Sequence, residues 1–331
     1  MPFWSSKSKA KPYRIFFATD VHGSEPTFRK FLNAGKAYSV DALILGGDIT
    51  GKMLVPILDL GAGNYRATLQ SNYLTMTAEE LPGFENKLGK LGFYSSVMDQ
   101  GQYERCLQNA GEVEKIYLEK ACQRLAAWLK LAEERLAGTP ICCYVTGGND
   151  DPQEVVNVLH REAKDRVIVC EEKLVQLNDD GHLLVSLGYS NQTPWRTPRE
   201  ISEDELARKI DSAFASVDDR SKVIFNMHVP PVDSTLDTCQ MLDTSTDPPT
   251  VVTSGGEPVM FGAGSRSVTD AIERYQPLLS LHGHIHESRG VIKIGRTTAI
   301  NPGSEYGEGI LRGTIVNLEG DEVKSTQMTS G

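Results

Sequence analysis

A layered α/β fold, with strands buried on both faces and helices packed over them, is predicted by three features of the 331-residue sequence. Six short apolar runs rich in β-branched and aromatic residues recur along it. Each run closes on a turn carrying Gly, Asp, Asn or His, and helical stretches with apolar residues three and four apart lie between them. Runs that are apolar at nearly every position fit strands with no solvent-facing side. Open α/β sheets bind ligands at the carboxyl ends of their strands, so the polar residues closing the runs point to one shared site.

In chain order the runs are RIFFATD (14–20), ALILGGD (42–48), ICCYVTGGND (141–150), HLLVSLGY (182–189), KVIFNMH (222–228) and LLSLHGH (278–284). Residues 51–138 separate the second and third runs by far more than an ordinary crossover. We read them as an insertion, a cap or the face of a homodimer, within a single domain spanning 1–331. Its first part, MLVPILDLGAGNYRATLQ (53–70), reads as a hairpin around Gly61–Asn64, and the rest as mainly helical. Within it, Val113, Tyr117, Ala121, Leu125, Trp128, Ala132 and Leu136 mark a long amphipathic helix that stops at Gly138. SEDE (202–205) is a capping box ahead of LARKIDSAF. The stretch 239–265, rich in Thr, Ser, Pro and Gly, reads as a long loop bordering the site, and residues 1–12 as a flexible tail.

A formal charge of −10 disfavours a nucleic-acid partner, because the surface as a whole repels a phosphate backbone. The one basic run, Lys7 to Arg14, reads as a solvated end. No apolar stretch approaches the roughly 18 residues needed to span a bilayer, and the N-terminus lacks the apolar core of a secretory signal. The expected setting is therefore cytoplasmic, without a membrane partner. Six cysteines without CxxC spacing suit reduced thiols.

The strand ends carry the chemistry. The first gives Asp20-Val21-His22, the second Gly46-Gly47-Asp48, the third Gly147-Gly148-Asn149-Asp150, the fifth His228 and the sixth His284-Ile285-His286. Alternate residues of an extended chain point the same way, so Asp20 and His22 can address one metal. Five of seven histidines fall at such ends, and only His160 and His182 lie elsewhere. Mixed oxygen and nitrogen donors suit Mn, Fe, Zn or Co better than Mg or Ca. Seven ligands exceed one ion's need and point to two divalent metal ions. A zincin needs HExxH on a helix, whereas HGHIH contains glycine and follows a strand.

The order DVH, GGD, GND, a lone His after an apolar strand, GHIH and NPGS resembles the calcineurin-like metallophosphoesterases over about residues 13–318. TGK with VPI (50–57), GHIHES (283–288) and NPGSEYGEG (301–309) are similar to a bacterial and archaeal branch of that family. The resemblance implies a four-layer α/β/β/α sandwich of two sheets flanked by helices. It implies Asp20, His22 and His286 on a first metal, Asp48 bridging, and Asn149, His228 and His284 on a second, with Mn or Fe favoured. It implies hydrolysis of a small-molecule phosphoester by in-line attack of a metal-bridging hydroxide. Phosphomonoesterase or protein phosphatase activity and a noncatalytic metal-binding scaffold are the alternatives.

The family motif places a histidine after the asparagine, where this chain has Asp150. Two divalent cations, less Asp20, Asp48 and a hydroxide, leave a site of about +1, which an ionised Asp150 cancels. That favours phosphodiester monoanions over monoester dianions, unless Asp150 stays protonated as a general acid or faces away and caps its turn. Arg266, in Gly264-Ser265-Arg266 before a helix, is a candidate phosphate contact, as are Arg289 and Arg196. His282, outside the motif, reads as a packing or supporting residue.

Overall fold

The computed structural model describes residues 11–217, 219–246 and 248–331. The expected tail and most of the basic run, residues 1–10, lie outside the described residues.

All six apolar runs form strands, and they divide equally between two sheets. The first sheet runs, edge to edge, Glu322–Ser330, Arg312–Glu319, Tyr13–Ala18, Ala42–Leu45, Cys142–Val145 and Val167–Val169. The second runs Gly290–Ile294, Thr297–Asn301, Leu279–Leu281, Val223–Met227, Leu183–Leu187 and Leu174–Gln176. Both have parallel centres, with Phe17 opposite Ile44 and Ile44 opposite Tyr144 in the first, and Asn226 opposite Ser186 and Leu281 in the second.

Strand alternation explains why the runs have no polar face. Ile15, Phe17, Ile44 and Tyr144 pack inward against Leu184, Ile224, Leu279 and Ile300 of the other sheet. Their neighbours Phe16, Ala18, Leu43, Leu45 and Val145 point outward into a second core under helices Glu25–Ala37, Ala110–Leu136 and Gln153–Glu162. Trp128 of the long helix stacks on Phe28 at 4.2 Å and donates to the Glu25 carboxylate at 2.9 Å, so its polar edge is satisfied inside an apolar layer. Helices Glu203–Phe214 and Arg266–Tyr275 cover the outer face of the second sheet through Leu206, Ile210, Phe214, Val268 and Ile272. The layers are thus α/β/β/α.

Residues 51–138 carry the expected hairpin, Leu54–Gly61 against Asn64–Leu69, and the expected long helix, Ala110–Leu136. They also carry strands Asn72–Thr77 and Tyr94–Met98, which complete a four-stranded sheet over its own small core of Val55, Ile57, Ala67, Met76 and Leu88. The stretch 239–265 differs from the expected loop. Thr238–Gln240 pairs with Met260–Gly262, and two shorter ladders continue outward, so the segment is a mostly exposed hairpin excursion. Its Thr and Ser residues serve two-stranded pairing with little apolar cover, which hid the strands in composition.

Candidate metal centre

The turns after the strands bring all seven expected ligands together. Asp20, His22 and His286 offer donor atoms within 4.8 Å of one another, and Asp48, His228 and His284 form a second such group. Asp48 Oδ2 lies 3.6 Å from His22 Nε2 and 3.3 Å from His228 Nε2, between the two groups. The Nε2 atoms of His22 and His286 face each other at 3.1 Å. The Asn149 amide donates to Thr197 Oγ1 at 2.8 Å, which turns its carbonyl oxygen to His284 Nδ1, also at 2.8 Å.

The chain distorts to achieve this. Asp20, His22, Asp48 and His284 all have positive φ, between 38° and 67°, a conformation that L residues other than glycine adopt at a cost. Backbone bonds from Asp20 N to Gly47 O and from His22 N to Asp48 O, both 3.0 Å, hold the first two turns side by side. Gly148 is required by close approach, because a Cβ there would lie 2.0 Å from Asp48 Oδ1 and 2.2 Å from Asp48 N. The NPGS turn braces the last loop. Asn301 donates to the carbonyls of Gly283 and Ile285, and Ser304 Oγ donates to Asp20 O at 2.7 Å.

The donor set fits divalent cations. His228 Nδ1 donates to the Gly46 carbonyl at 3.0 Å, which fixes the ring and leaves Nε2 buried without a hydrogen-bond partner. Burial opposes protonation of His228, yet the carboxylates of Asp48 and Asp20 push it up to about 10, a measure of how strongly this field favours positive charge. Burial holds His22 well below the ordinary histidine value and brings His284 down to about 4, so both present the neutral imidazoles a metal needs. Asp20 and Asp48 are held low against burial by the surrounding imidazoles.

Other candidates are placed differently. His282 is buried and donates from Nδ1 to the carbonyls of Met227 and Val229, tying adjacent strands together. Asp150 does not face away. It is Asp151 that caps the turn, accepting from the backbone of Ile49, Thr50 and Gly148 and from Thr50 Oγ1. Asp150 instead lines a cavity of about 960 Å³ over the ligands and pairs with Lys52 at 2.9 Å. Arg196 also lines this cavity. Arg266 does not: the N-terminus of its helix is closed by the Glu203 carboxylate, which accepts from Ser265 Oγ, Arg266 N and Ser267 N. Arg289 is exposed and donates to the Thr329 carbonyl at 3.1 Å. Lys52 and Tyr306, whose ring stands 4.6 Å from that of His22, were not singled out in the sequence as site residues, though TGK and NPGSEYGEG contain them.

With two central parallel sheets, flanking helices and the expected ligands gathered at strand ends, the fold is the four-layer α/β/β/α sandwich that the motif resemblance implies. No protein-family model matches the chain. An uncharacterized protein of Methanocaldococcus jannaschii is 30% identical over 157 residues, a match that spans 47% of this chain and 61% of that relative. One solved crystal structure superposes with a TM-score of 0.55 at 12% identity, covering 97% of this chain and 98% of that one. The protein TT1561 of Thermus thermophilus superposes with a TM-score of 0.50 at 13% identity over the same shares of the two chains. The two superpositions concern the fold alone. Among the described residues no helix is long and apolar enough to cross a membrane.

Proposed function

We propose that the chain is a dinuclear-metal-dependent phosphoester hydrolase that favours phosphodiesters of small molecules. The observation that carries this reading is the pair of adjacent ligand groups on the floor of one large cavity, with Asp48 Oδ2 3.6 Å from His22 of one and 3.3 Å from His228 of the other. Two divalent cations held there would supply an activated water and neutralise charge on the phosphoryl oxygens.

The residues of the chain do the positioning. Asp20, His22 and His286 would hold one ion and Asn149, His228 and His284 the other, with Asp48 shared. The left-handed turns of Asp20, His22, Asp48 and His284 fix those four donors before any substrate arrives. The cavity is far larger than a phosphoryl group, and its walls come from three separate segments: Tyr117 and Leu118 of the long helix, Pro194 to Pro198, and Cys239 to Leu242 with Phe261. Such walls suit organic groups on both oxygens of a diester. Lys52 restores the charge that Asp150 subtracts, so the diester preference rests on the cavity and not on the charge count. Arg196 stands as a substrate contact. In this reading the protein is cytoplasmic, and the insertion serves as a cap or as the face of a homodimer.

The test is turnover of bis-p-nitrophenyl phosphate and p-nitrophenyl phosphate by metal-stripped protein reloaded with Mn²⁺. Metal-dependent hydrolysis, faster on the diester, is expected. Faster hydrolysis of the monoester would overturn the diester preference, and absence of both metal binding and turnover would favour a noncatalytic scaffold.

A further inference from the structure

We infer that Lys52, held in place by Asp150, is the cationic contact for a substrate phosphoryl oxygen, an inference that rests on the hydrolase reading above. Lys52 lines the same cavity as Asp48, Asn149, His284 and His286. Its ammonium lies 2.9 Å from Asp150 Oδ2, and the backbone N–H of Asp150 donates to Asp48 Oδ1 at 2.9 Å. One residue therefore separates the ammonium from the Asp48 carboxylate, which stands between the two ligand groups.

The loop that carries Lys52 is fixed from three sides. The buried Asp151 carboxylate holds Ile49 and Thr50 through three hydrogen bonds of 2.6 to 3.0 Å. Gly51 N donates to Tyr94 Oη at 2.9 Å, and Tyr117 Oη donates to Gly51 O at 2.6 Å. Both tyrosines come from later parts of the insertion that Gly51 and Lys52 begin, and a Cβ at Gly51 would lie 1.8 Å from the Gly92 carbonyl oxygen, so the start of the insertion interlocks with the rest of it. A lysine serving only solubility needs no such mounting. The side chain is 46% exposed while that of Asp150 is 15% exposed, so the pair runs from the floor into open cavity.

Lysine carries three N–H donors. Asp150 engages one, and it is the only carboxylate of the described residues within 4.0 Å of Nζ. The remaining donors are available to an anion. Burial opposes the charge on Lys52, but the carboxylates of Asp150 and Asp48 outweigh it and hold the ammonium above its ordinary value, so it is charged at neutral pH. A compact ammonium recognises a phosphate oxygen as a point charge, without the bidentate geometry of arginine. Asp150 is then a positioning residue, which accounts for a carboxylate standing beside a site meant for anions.

The test is titration of inorganic phosphate into manganese-loaded protein by calorimetry, with manganese content measured separately. Lys52→Ala should keep its manganese and its thermal midpoint while binding phosphate about 10- to 100-fold more weakly. Lys52→Arg should restore binding to within about tenfold of the native chain, and Asp150→Asn should raise KM more than it lowers kcat. Native phosphate affinity in Lys52→Ala would overturn the inference and leave the metal reading intact. Loss of manganese from Lys52→Ala would assign the lysine to the floor and also overturn it, whereas a native chain that binds no manganese would overturn the reading beneath it.

Discussion

The floor and the walls of the cavity are built on opposite principles. On the floor, Asp20, His22, Asp48 and His228 are charged or polar groups no more than 2% exposed, and the first three sit on left-handed turns that the two sheets pin in place. On the walls, Trp195, Phe261 and Met241 are apolar groups 61%, 38% and 36% exposed, carried by segments that leave the sandwich. Buried charge needs fixed partners, so the floor tolerates little change. Exposed apolar residues on excursions can change without disturbing a core, which suits them to selecting the organic part of a ligand.

The sharpest way to break this contrast is Asp48→Asn. Losing the carboxylate shared by both ligand groups should cut metal-dependent turnover by about a thousandfold or more, read by steady-state kinetics with manganese in excess. Gly148→Ala comes next. Its Cβ would collide with Asp48 backbone and side chain, so a stability loss of about 3 kcal/mol is expected in chemical denaturation, together with weaker metal binding. On the walls, Trp195→Ala or Phe261→Ala should raise KM by about tenfold for an aromatic diester and leave kcat nearly unchanged. Equal losses in kcat would show that the walls belong to the floor.

The smallest effect lies outside the cavity. Glu203→Gln weakens the closure of helix Arg266–Tyr275 and should cost about 1 kcal/mol or less, given solvent screening at this partly exposed position. Burial opposes ionisation of Glu203, but hydrogen bonds from Ser267, Ser265 and the Arg266 N–H bring it below its ordinary value of 4.5. A depressed carboxyl stabilises fully above that value and loses its contribution as pH falls through the lower, folded one. The variant and the native chain should therefore converge in thermal midpoint at acid pH, and a gap that widens there would contradict this role.

The floor was legible because each ligand follows an apolar run, and a strand delivers its last residues to one place whatever the loops do. Asp20 and His22 were readable as a pair, and the seven donors required that the strands be parallel neighbours within each sheet and that the two sheets stack with their carboxyl ends at one edge. The walls were not legible. Leu118, Trp195, Met241 and Phe261 stand far apart in sequence and share no period, and their meeting depends on how the insertion and the 238–262 hairpin fold back. Lys52 escaped for a related reason. TGK reads only as a motif of the resembled branch, and a role for its lysine depends on Tyr94, Tyr117 and Asp151 closing on the turn. Its omission left the charge count one unit short beside Asp150. Arg266 looked like an anion contact because Gly-Ser-Arg precedes a helix, and the capping Glu203 comes from another helix some 60 residues earlier.

The central claim is that two ions share Asp48. Manganese content and electron paramagnetic resonance of the reloaded native chain and of Asp48→Asn test it most directly. Two manganese ions per chain with an exchange-coupled signal, reduced to uncoupled or single occupancy in the variant, are expected. A native chain that takes up one ion or none, or a coupled pair that persists without the Asp48 carboxylate, would contradict it.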